Sequence, residues 1–214
     1  MKYKENDITY FRAKLLGWGR ENFYDFSWRS IDNLWHALVA EVMLQRTRSD
    51  VVEPEFIKFV EKYPTPEVYI NDKGRDTFKN LGLPSRENIL IEIANRLVKE
   101  EPLFEKNDLL AIPGIGNYTA AAVRSMFFKV RDTIIDGNVI RVYSRFFGFI
   151  RSEKLYRDKD FLALAENVTP VKKFRFYNYA LLDFGREICA PIPKCPICPV
   201  KRKCEYYKNN KKSF

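Results

Sequence analysis

Apolar residues recur at intervals of three or four positions along most of this chain. The clearest series are Leu34, Leu38, Val42 and Leu44; Phe56, Phe59, Val60 and Tyr63; and Ile89, Ile93, Leu97 and Val98. Residues at this spacing share one face of a helix, so each series predicts an amphipathic helix. Residues 133–135, Thr-Ile-Ile, are compatible with a short strand, but no alternating run is long enough to build a sheet. The pattern therefore predicts an all-α fold.

Proline and glycine interrupt the helical pattern at four places. These are residues 64–66, residues 82–84, Pro102 and residues 112–116. Because both residue types are unfavourable inside helices, each interruption predicts a connection between helices. The chain has 214 residues, of which 46% are hydrophobic. It is long enough to bury a sizeable core, in one large domain or two small ones.

The charge balance favours a polyanionic partner. Lys and Arg number 37 against 28 Asp and Glu, which gives a formal net charge of +9. Nucleic acid is the expected partner, with an anionic membrane surface as the alternative. No apolar run approaches the roughly 18 residues that span a bilayer, and the first twenty residues lack the apolar segment of a signal peptide. We therefore expect an intracellular protein, in cytoplasm or nucleoid, without a membrane partner. Nothing in the sequence indicates an oligomer, so we expect a monomer.

All four cysteines lie within sixteen positions near the C-terminus. They are Cys189, Cys195, Cys198 and Cys204, separated by five, two and five residues. In an intracellular protein, four thiols so close in sequence favour one metal centre over disulfides. The centre is either a tetrahedral zinc or an iron–sulfur cube. Zinc sites more often have two C-x-x-C pairs and this chain has one, so the spacing leaves the metal open.

Residues 109–123 predict two helices joined by a tight turn. The turn contains Gly114 and Gly116, and Asn117 begins the second helix. Glycines let a backbone approach a ligand closely, and the amides at a helix N-terminus carry the positive end of the helix dipole. The hairpin is therefore suited to hold a DNA phosphate without reading sequence. An ordinary glycine turn between packed helices has the same pattern.

Two acidic residues stand in apolar surroundings. Asp136 follows two isoleucines and precedes Gly137 and Asn138, a sequence that is also common in turns and helix caps. A carboxylate there would stabilise the positive charge that develops on a sugar when its base departs. Glu41 interrupts an apolar helical face, where partial burial would raise its pKa and let it protonate a leaving base. A surface glutamate or one paired with arginine is the alternative for Glu41.

In this order the motifs resemble the helix-hairpin-helix DNA glycosylases of the endonuclease III superfamily, specifically their iron–sulfur branch. The resemblance covers nearly the whole chain. It is carried by FSWR (26–29), EVMLQRT (41–47), GLPSR (82–86), IPGIGNYTAAAV (112–123), IIDGNVIRV (134–142) and the cysteine cluster.

The resemblance implies a two-lobed all-α fold. A six-helix barrel with the helix-hairpin-helix would comprise residues 24–128, and residues 1–23 and 129–214 would form a second helical lobe. The four cysteines would bind a [4Fe–4S] cluster in a C-terminal loop. The family normally places six residues between the first two cysteines, and this chain has five.

The same resemblance implies an enzyme of base-excision repair, which flips a mispaired base out of double-stranded DNA and hydrolyses its N-glycosidic bond. Asp136 would stabilise the oxocarbenium-like state and direct water, Glu41 would protonate or orient the base, and Tyr118 would pack in the site. Bifunctional members have a lysine at position 118 that forms a Schiff base with the sugar and cleaves the strand. A phenol cannot form this base, so we predict a monofunctional hydrolase without strong AP-lyase activity.

The resemblance also implies which residues contact DNA. Arg46 would fill the gap that the extruded base leaves in the stack, and the hairpin would hold a phosphate. The basic loop near the C-terminus would approach the phosphate backbone. The DNA-binding residues are thus Arg46, Gly114, Gly116, Asn117, Lys201, Arg202 and Lys203.

The motifs discriminate only partly between two branches of the family. Arg46, and Pro84-Ser85 where adenine glycosylases have paired tyrosines, resemble enzymes that remove thymine or uracil opposite guanine. The Asp136-Gly137-Asn138 motif has the adenine-type sequence, although the chain does not include the additional C-terminal domain typical of adenine enzymes. We expect thymine or uracil opposite guanine, with adenine opposite guanine or 8-oxoguanine as the alternative. A non-catalytic DNA-binding module is a second alternative, but it has no use for carboxylates that face a polyanion.

Overall fold

The computed structural model describes residues 4–82, 84–99 and 105–211. All regular secondary structure in these ranges is helical, which confirms the predicted all-α class, and residues 133–135 form no strand. Leu83 and Pro102, at two of the predicted helix breaks, lie outside the described residues, as does Lys212 of the basic tail.

Eleven α-helices are found among the described residues. They are α1 (Glu5–Glu21), α2 (Leu34–Met43), α3 (Ser49–Lys62), α4 (Pro66–Asn71), α5 (Glu87–Lys99), α6 (Lys106–Leu110), α7 (Asn117–Ala122), α8 (Gly137–Phe147), α9 (Lys159–Val168), α10 (Phe174–Glu187) and α11 (Glu205–Asn209). Short 3-10 turns lie at Ser27–Arg29, Pro84–Arg86, Glu153–Arg157, Cys195–Ile197 and Lys201–Lys203, and a π turn at Val123–Phe127. The chain divides into two compact units, Asp25–Val130 and Met1–Tyr24 with Arg131–Phe214.

The unit Asp25–Val130 is built around the three apolar series seen in the sequence. They lie in α2, α3 and α5, and Leu38, Phe56 and Ile93 are buried in one core. The side chain of Asn33 begins α2 because it accepts the N–H groups of Trp35 and His36, which have no partner within the helix. Helix α2 packs against α3, α5 and α7. This central helix carries Glu41, so the core positions that side chain.

In the other unit α10 packs against both α1 and α8. A Cβ atom on Gly19 would lie 2.7 Å from the Cβ of Ala180, so α1 approaches α10 closely only because position 19 is glycine. Aromatic rings of Phe11, Tyr143 and Phe146 pack edge-on or tilted in the core of this unit. The core thus holds α8, which Asp136 precedes as the N-cap.

Among the described residues, no helix is both long enough and apolar enough to cross a membrane.

Candidate functional site

The turn after α2 presents Arg46 on the surface of its unit. Glu41 is half-buried within α2, and the chain leaves the helix through an exposed Arg46 with φ +59°. A left-handed conformation is uncommon for a residue with a side chain, and such strain is concentrated at functional sites. Nε2 of Gln45 donates to the carbonyl oxygen of Gly114 at 3.2 Å. The turn that carries Arg46 is therefore fastened to the hairpin of the same unit.

The hairpin has the tight geometry that its sequence predicts. The N–H of Ile115 donates to the carbonyl oxygen of Ile112 at 3.1 Å and closes the turn. Gly114 has φ +85°, and a Cβ there would lie 2.6 Å from Cδ1 of Ile89. A Cβ on Gly116 would meet nothing within 4 Å, so the backbone that begins α7 is open at this point. Gly114 is needed for the turn, whereas Gly116 leaves space for a ligand.

Tyr118 is half-buried in the first turn of α7. Because α7 packs against α2, the helices that carry Tyr118 and Glu41 are neighbours within one unit. Beyond α7 the helix widens into the π turn Val123–Phe127, a distortion that is frequent near functional sites. The structure thus places two of the three predicted catalytic residues, together with Arg46 and the hairpin, in the unit Asp25–Val130.

Asp136 belongs to the other unit and begins α8 as its N-cap. Its Oδ1 accepts the N–H of Val139 at 2.7 Å, and its Oδ2 accepts Nδ2 of Asn138 at 2.8 Å. Burial raises the pKa of Asp136 above its ordinary value, although the hydrogen bonds from Val139 and Asn138 partly lower it. The carboxylate is a helix cap, as the Asp-Gly-Asn sequence also suggested, and it is rigidly oriented.

Asn138 and Arg141 support this carboxylate, and sequence reasoning assigned neither a role. Nη2 of Arg141 donates to Oδ1 of Asn138 at 2.7 Å and to the carbonyl oxygen of Gly185 at 2.8 Å. Nε of the same guanidinium donates to the carbonyl oxygen of Cys189 at 2.8 Å. A signal was present in the sequence, since both polar residues interrupt the apolar face of the motif at 134–142. The network connects the predicted catalytic carboxylate to the backbone of the first cysteine.

The four cysteines line a single pocket. They are free thiols, so no disulfide joins them. The remaining walls are mostly apolar and are formed by Phe11, Val142, Arg145, Phe146, Phe184, Ile188, Pro193, Val200 and Tyr206. Within the part of the chain that the structure describes, no three His, Cys, Asp or Glu side chains are grouped closely enough to hold one metal ion. The four thiols therefore share one mostly apolar pocket.

Arg145 fastens the cysteine loop to α8. Its Nη1 donates to the carbonyl oxygen of Ala190 at 2.6 Å and lies 3.5 Å from Sγ of Cys189. The guanidinium also lies over the ring of Tyr206, 4.8 Å from the centroid. Arg145 therefore joins the first cysteine and the segment after it to a helix of the same unit.

Two of the three cations in the basic loop 201–203 contact other parts of the protein. Nζ of Lys203 lies 2.7 Å from Oδ1 of Asp7 and donates to the carbonyl oxygen of Asn6 at 3.1 Å. Lys201 donates to the carbonyl oxygen of Pro196, while Arg202 is exposed. The contact of this loop with DNA stays a prediction, and Arg202 is the member that the structure presents most openly.

Comparison with known proteins places these features in a family. The chain is 31% identical to a thymine/uracil-DNA glycosylase of Methanothermobacter thermautotrophicus over 205 residues, 92% of this chain and 93% of that protein. It is 32% identical to an adenine DNA glycosylase of Buchnera aphidicola subsp. Baizongia pistaciae over 213 residues. That match covers 94% of this chain and 59% of the length of the adenine enzyme. No family model matches the sequence.

A solved structure shares the whole fold. The structure of a thermostable thymine-DNA glycosylase superposes with a TM-score of 0.86 and 29% identity, over 95% of this chain and 98% of the other. Sequence and fold agree over nearly the full length of both relatives that are named for thymine. The chain therefore belongs to the helix-hairpin-helix DNA glycosylases of the endonuclease III superfamily.

Proposed function

We propose that the protein removes thymine or uracil opposite guanine from double-stranded DNA by hydrolysis alone. The observation that carries this proposal is Arg46, exposed on a strained turn directly after the helix that holds Glu41. An exposed arginine at this place is suited to fill the gap of an extruded base, and it is the residue type expected of the thymine branch. Relatives that span this chain are named as thymine/uracil-DNA and thymine-DNA glycosylases.

Asp136 is the proposed stabiliser of the cationic sugar. Loss of the base leaves an oxocarbenium-like centre, and a nearby carboxylate lowers the free energy of that state. The hydrogen bonds from Val139 and Asn138 fix both carboxylate oxygens, so little reorganisation accompanies the reaction. Because burial raises the pKa of Asp136, this carboxylate becomes protonated at a higher pH than an exposed aspartate does. The reaction therefore needs a pH above this pKa.

Glu41 and Tyr118 are proposed to act on the base and the pocket. A half-buried glutamate on the central helix is suited to donate a proton to the departing base or to orient it. The phenol of Tyr118 gives no amine for a Schiff base, which supports glycosylase activity without strand cleavage.

DNA binding is proposed to rest on backbone contacts and scattered cations. The open backbone at Gly116 and Asn117 would hold a phosphate at the start of α7, and Arg202 would add charge near the C-terminus. Extrusion costs least at a mismatch, so selection of a mispaired site begins before the base reaches the pocket. The protein is proposed to act as a monomer on duplexes that contain a mismatch.

The four cysteines are proposed to hold a [4Fe–4S] cluster, since all four line one mostly apolar pocket. A lone zinc draws four sulfurs to within ~4 Å of one another, since each Zn–S bond is ~2.3 Å long. An iron–sulfur cube binds each thiolate to a different iron and keeps the sulfurs further apart. The four cysteines would thus hold the cluster, and Arg145 would position Cys189. When bound, the cluster would cross-link the C-terminal loop through four metal–sulfur bonds.

Removal of adenine is the second candidate, because the Asp136-Gly137-Asn138 motif and the Buchnera relative support it. Single-turnover excision from duplexes with T·G, U·G, A·G and A·8-oxoguanine distinguishes the two. We expect release from T·G and U·G, with strand breaks only after alkali. Release of adenine alone would replace the proposed specificity, and strand breaks without alkali would contradict the monofunctional mechanism.

A further inference from the structure

Arg86 is a buried cation at the end of the helix that carries Glu41. It ends the turn Pro84–Arg86 and is 6% exposed. Its Nη1 donates to the carbonyl oxygen of Val42 at 3.3 Å. Val42 lies in the last turn of α2, where carbonyls lack partners within the helix. The N–H of Gln45 donates to the same oxygen, also at 3.3 Å. Arg86 therefore ties the end of α2 to the turn that follows it.

Arg86 carries its charge into a buried position. Among the residues that the structure describes, no carboxylate forms an ion pair with it, and the charged group that acts on it is Arg46. Burial and this like charge both lower the pKa of Arg86. A buried cation without an acidic partner destabilises the fold, and residues that do so are concentrated at functional sites.

Arg46 has the opposite character, because it is exposed and its backbone is strained. The turn that carries it is fastened on two sides, by Arg86 at Val42 and by the side chain of Gln45 at Gly114. Such surrounding contacts are what keep a left-handed residue with a side chain in place. Arg46 is exposed, so the fastened turn presents this residue to solvent.

We propose that Arg86 is a positioning residue for base extrusion, which fixes the end of α2 and so holds the turn that presents Arg46. This inference rests on the proposed function, in which Arg46 occupies the gap left by the extruded base. Arg86 acts through Arg46 and has no required contact with DNA. An arginine on a turn that is already ordered loses less conformational freedom when it inserts into the base stack, so extrusion becomes more favourable.

The test measures extrusion separately from chemistry. Fluorescence of 2-aminopurine placed beside a T·G mismatch reports unstacking when the protein binds. Arg86→Met keeps the length and apolar bulk of the side chain but removes the charge and the donor. We expect about tenfold weaker extrusion, less than the ~100-fold that a misplacement of about 1 Å can cause, while the thermal midpoint stays unchanged or rises. Arg86→Lys, which keeps the charge, should restore part of the loss. Arg96→Met is the matched control on α5 and should change neither quantity.

A double-mutant comparison decides whether Arg86 acts through Arg46. In an Arg46→Ala background, Arg86→Met should cause no further loss of extrusion. An equal loss of extrusion in both backgrounds would overturn the inference, and so would full extrusion by Arg86→Met alone. A wild-type protein that unstacks no mismatch would overturn it as well. If the wild type unstacks T·G and the two arginines are coupled, the inference holds even where neither thymine nor uracil is released. Failure to release either base would contradict the proposed function but not the role of Arg86.

Discussion

Arg141 donates a hydrogen bond of 2.7 Å to Oδ1 of Asn138, and Asn138 in turn donates to the carboxylate of Asp136 at 2.8 Å. The amide of Asn138 therefore has only one useful orientation, since its oxygen must face the guanidinium and its nitrogen the carboxylate. Arg141 holds this arrangement because it is anchored to the carbonyl oxygens of Gly185 and Cys189.

Replacement of Arg141 by methionine should cost both stability and activity. Asn138 and Gly185 would lose their donor in a buried environment, so we expect about 2–4 kcal/mol of destabilisation in urea unfolding. Excision should fall because Asn138 no longer orients Asp136. Arg141→Lys keeps the charge but not the planar guanidinium, so its stability and excision rate should lie between those of wild type and Arg141→Met. Arg157→Met, on an exposed turn, is the control. Wild-type excision by Arg141→Met would show that Asp136 needs no such support.

Replacement of Asp136 by asparagine should separate its two roles. Asparagine is as good an N-cap as aspartate, so the hydrogen bond from Val139 is kept, whereas its amide nitrogen cannot accept the one from Nδ2 of Asn138. The negative charge is lost, so single-turnover excision should fall on the order of 10²–10³-fold while DNA affinity is kept or improved. Asp136→Ala removes the cap as well and should lose about 1 kcal/mol of stability. Excision that survives in Asp136→Asn would remove Asp136 from the catalytic residues.

The raised pKa of Asp136 predicts how activity and stability depend on pH. Excision needs the ionised carboxylate, so its rate should fall as the pH drops through a value above the 3.8 of an ordinary aspartate. Because the folded pKa lies above the unfolded one, this group adds stability below the unfolded pKa and loses that contribution as the pH rises through the folded pKa. As the pH rises through the folded pKa of Asp136, the wild type should therefore lose stability relative to Asp136→Asn. Urea unfolding at several pH values measures the difference, and a constant difference would contradict the shift.

Local patterns in the sequence predicted the helices, whereas the contacts that support the site were not predictable. The apolar series in α2, α3 and α5 follow from periodicity, and the hairpin follows from its glycines. Arg141 meets the carbonyl of Cys189 from 48 positions away, a pairing that no local pattern encodes. Likewise, Lys203 looked like a free surface cation, but α1 brings Asp7 beside its ammonium. The left-handed backbone of Arg46 also had no sequence signal, because that conformation is typical of glycine.

The two glycines of the hairpin should respond differently to substitution by alanine. At Gly114 the backbone has φ +85° and the new Cβ would overlap Ile89, so we expect a loss of about 1–3 kcal/mol in unfolding free energy. At Gly116 the Cβ enters open space with φ −96°, so stability should change by less than about 0.5 kcal/mol. Gly116→Ala should instead weaken binding to undamaged duplex, measured by titration at fixed salt. Unchanged affinity there would argue against phosphate binding at the start of α7.

Metal analysis of the purified protein tests the cysteine pocket. An anaerobically purified protein should be brown and contain about four irons per chain, with four acid-labile sulfides. Cys198→Ser should lose iron and colour, since a serine hydroxyl is a poor ligand for iron at neutral pH, whereas the exposed neighbour Ile197→Ser should keep both. The loss of four metal–sulfur bonds should also lower the thermal midpoint of Cys198→Ser, because the loop between Cys189 and Cys204 is no longer cross-linked. One zinc per chain, in place of iron, would show that the thiols converge on a single ion after all.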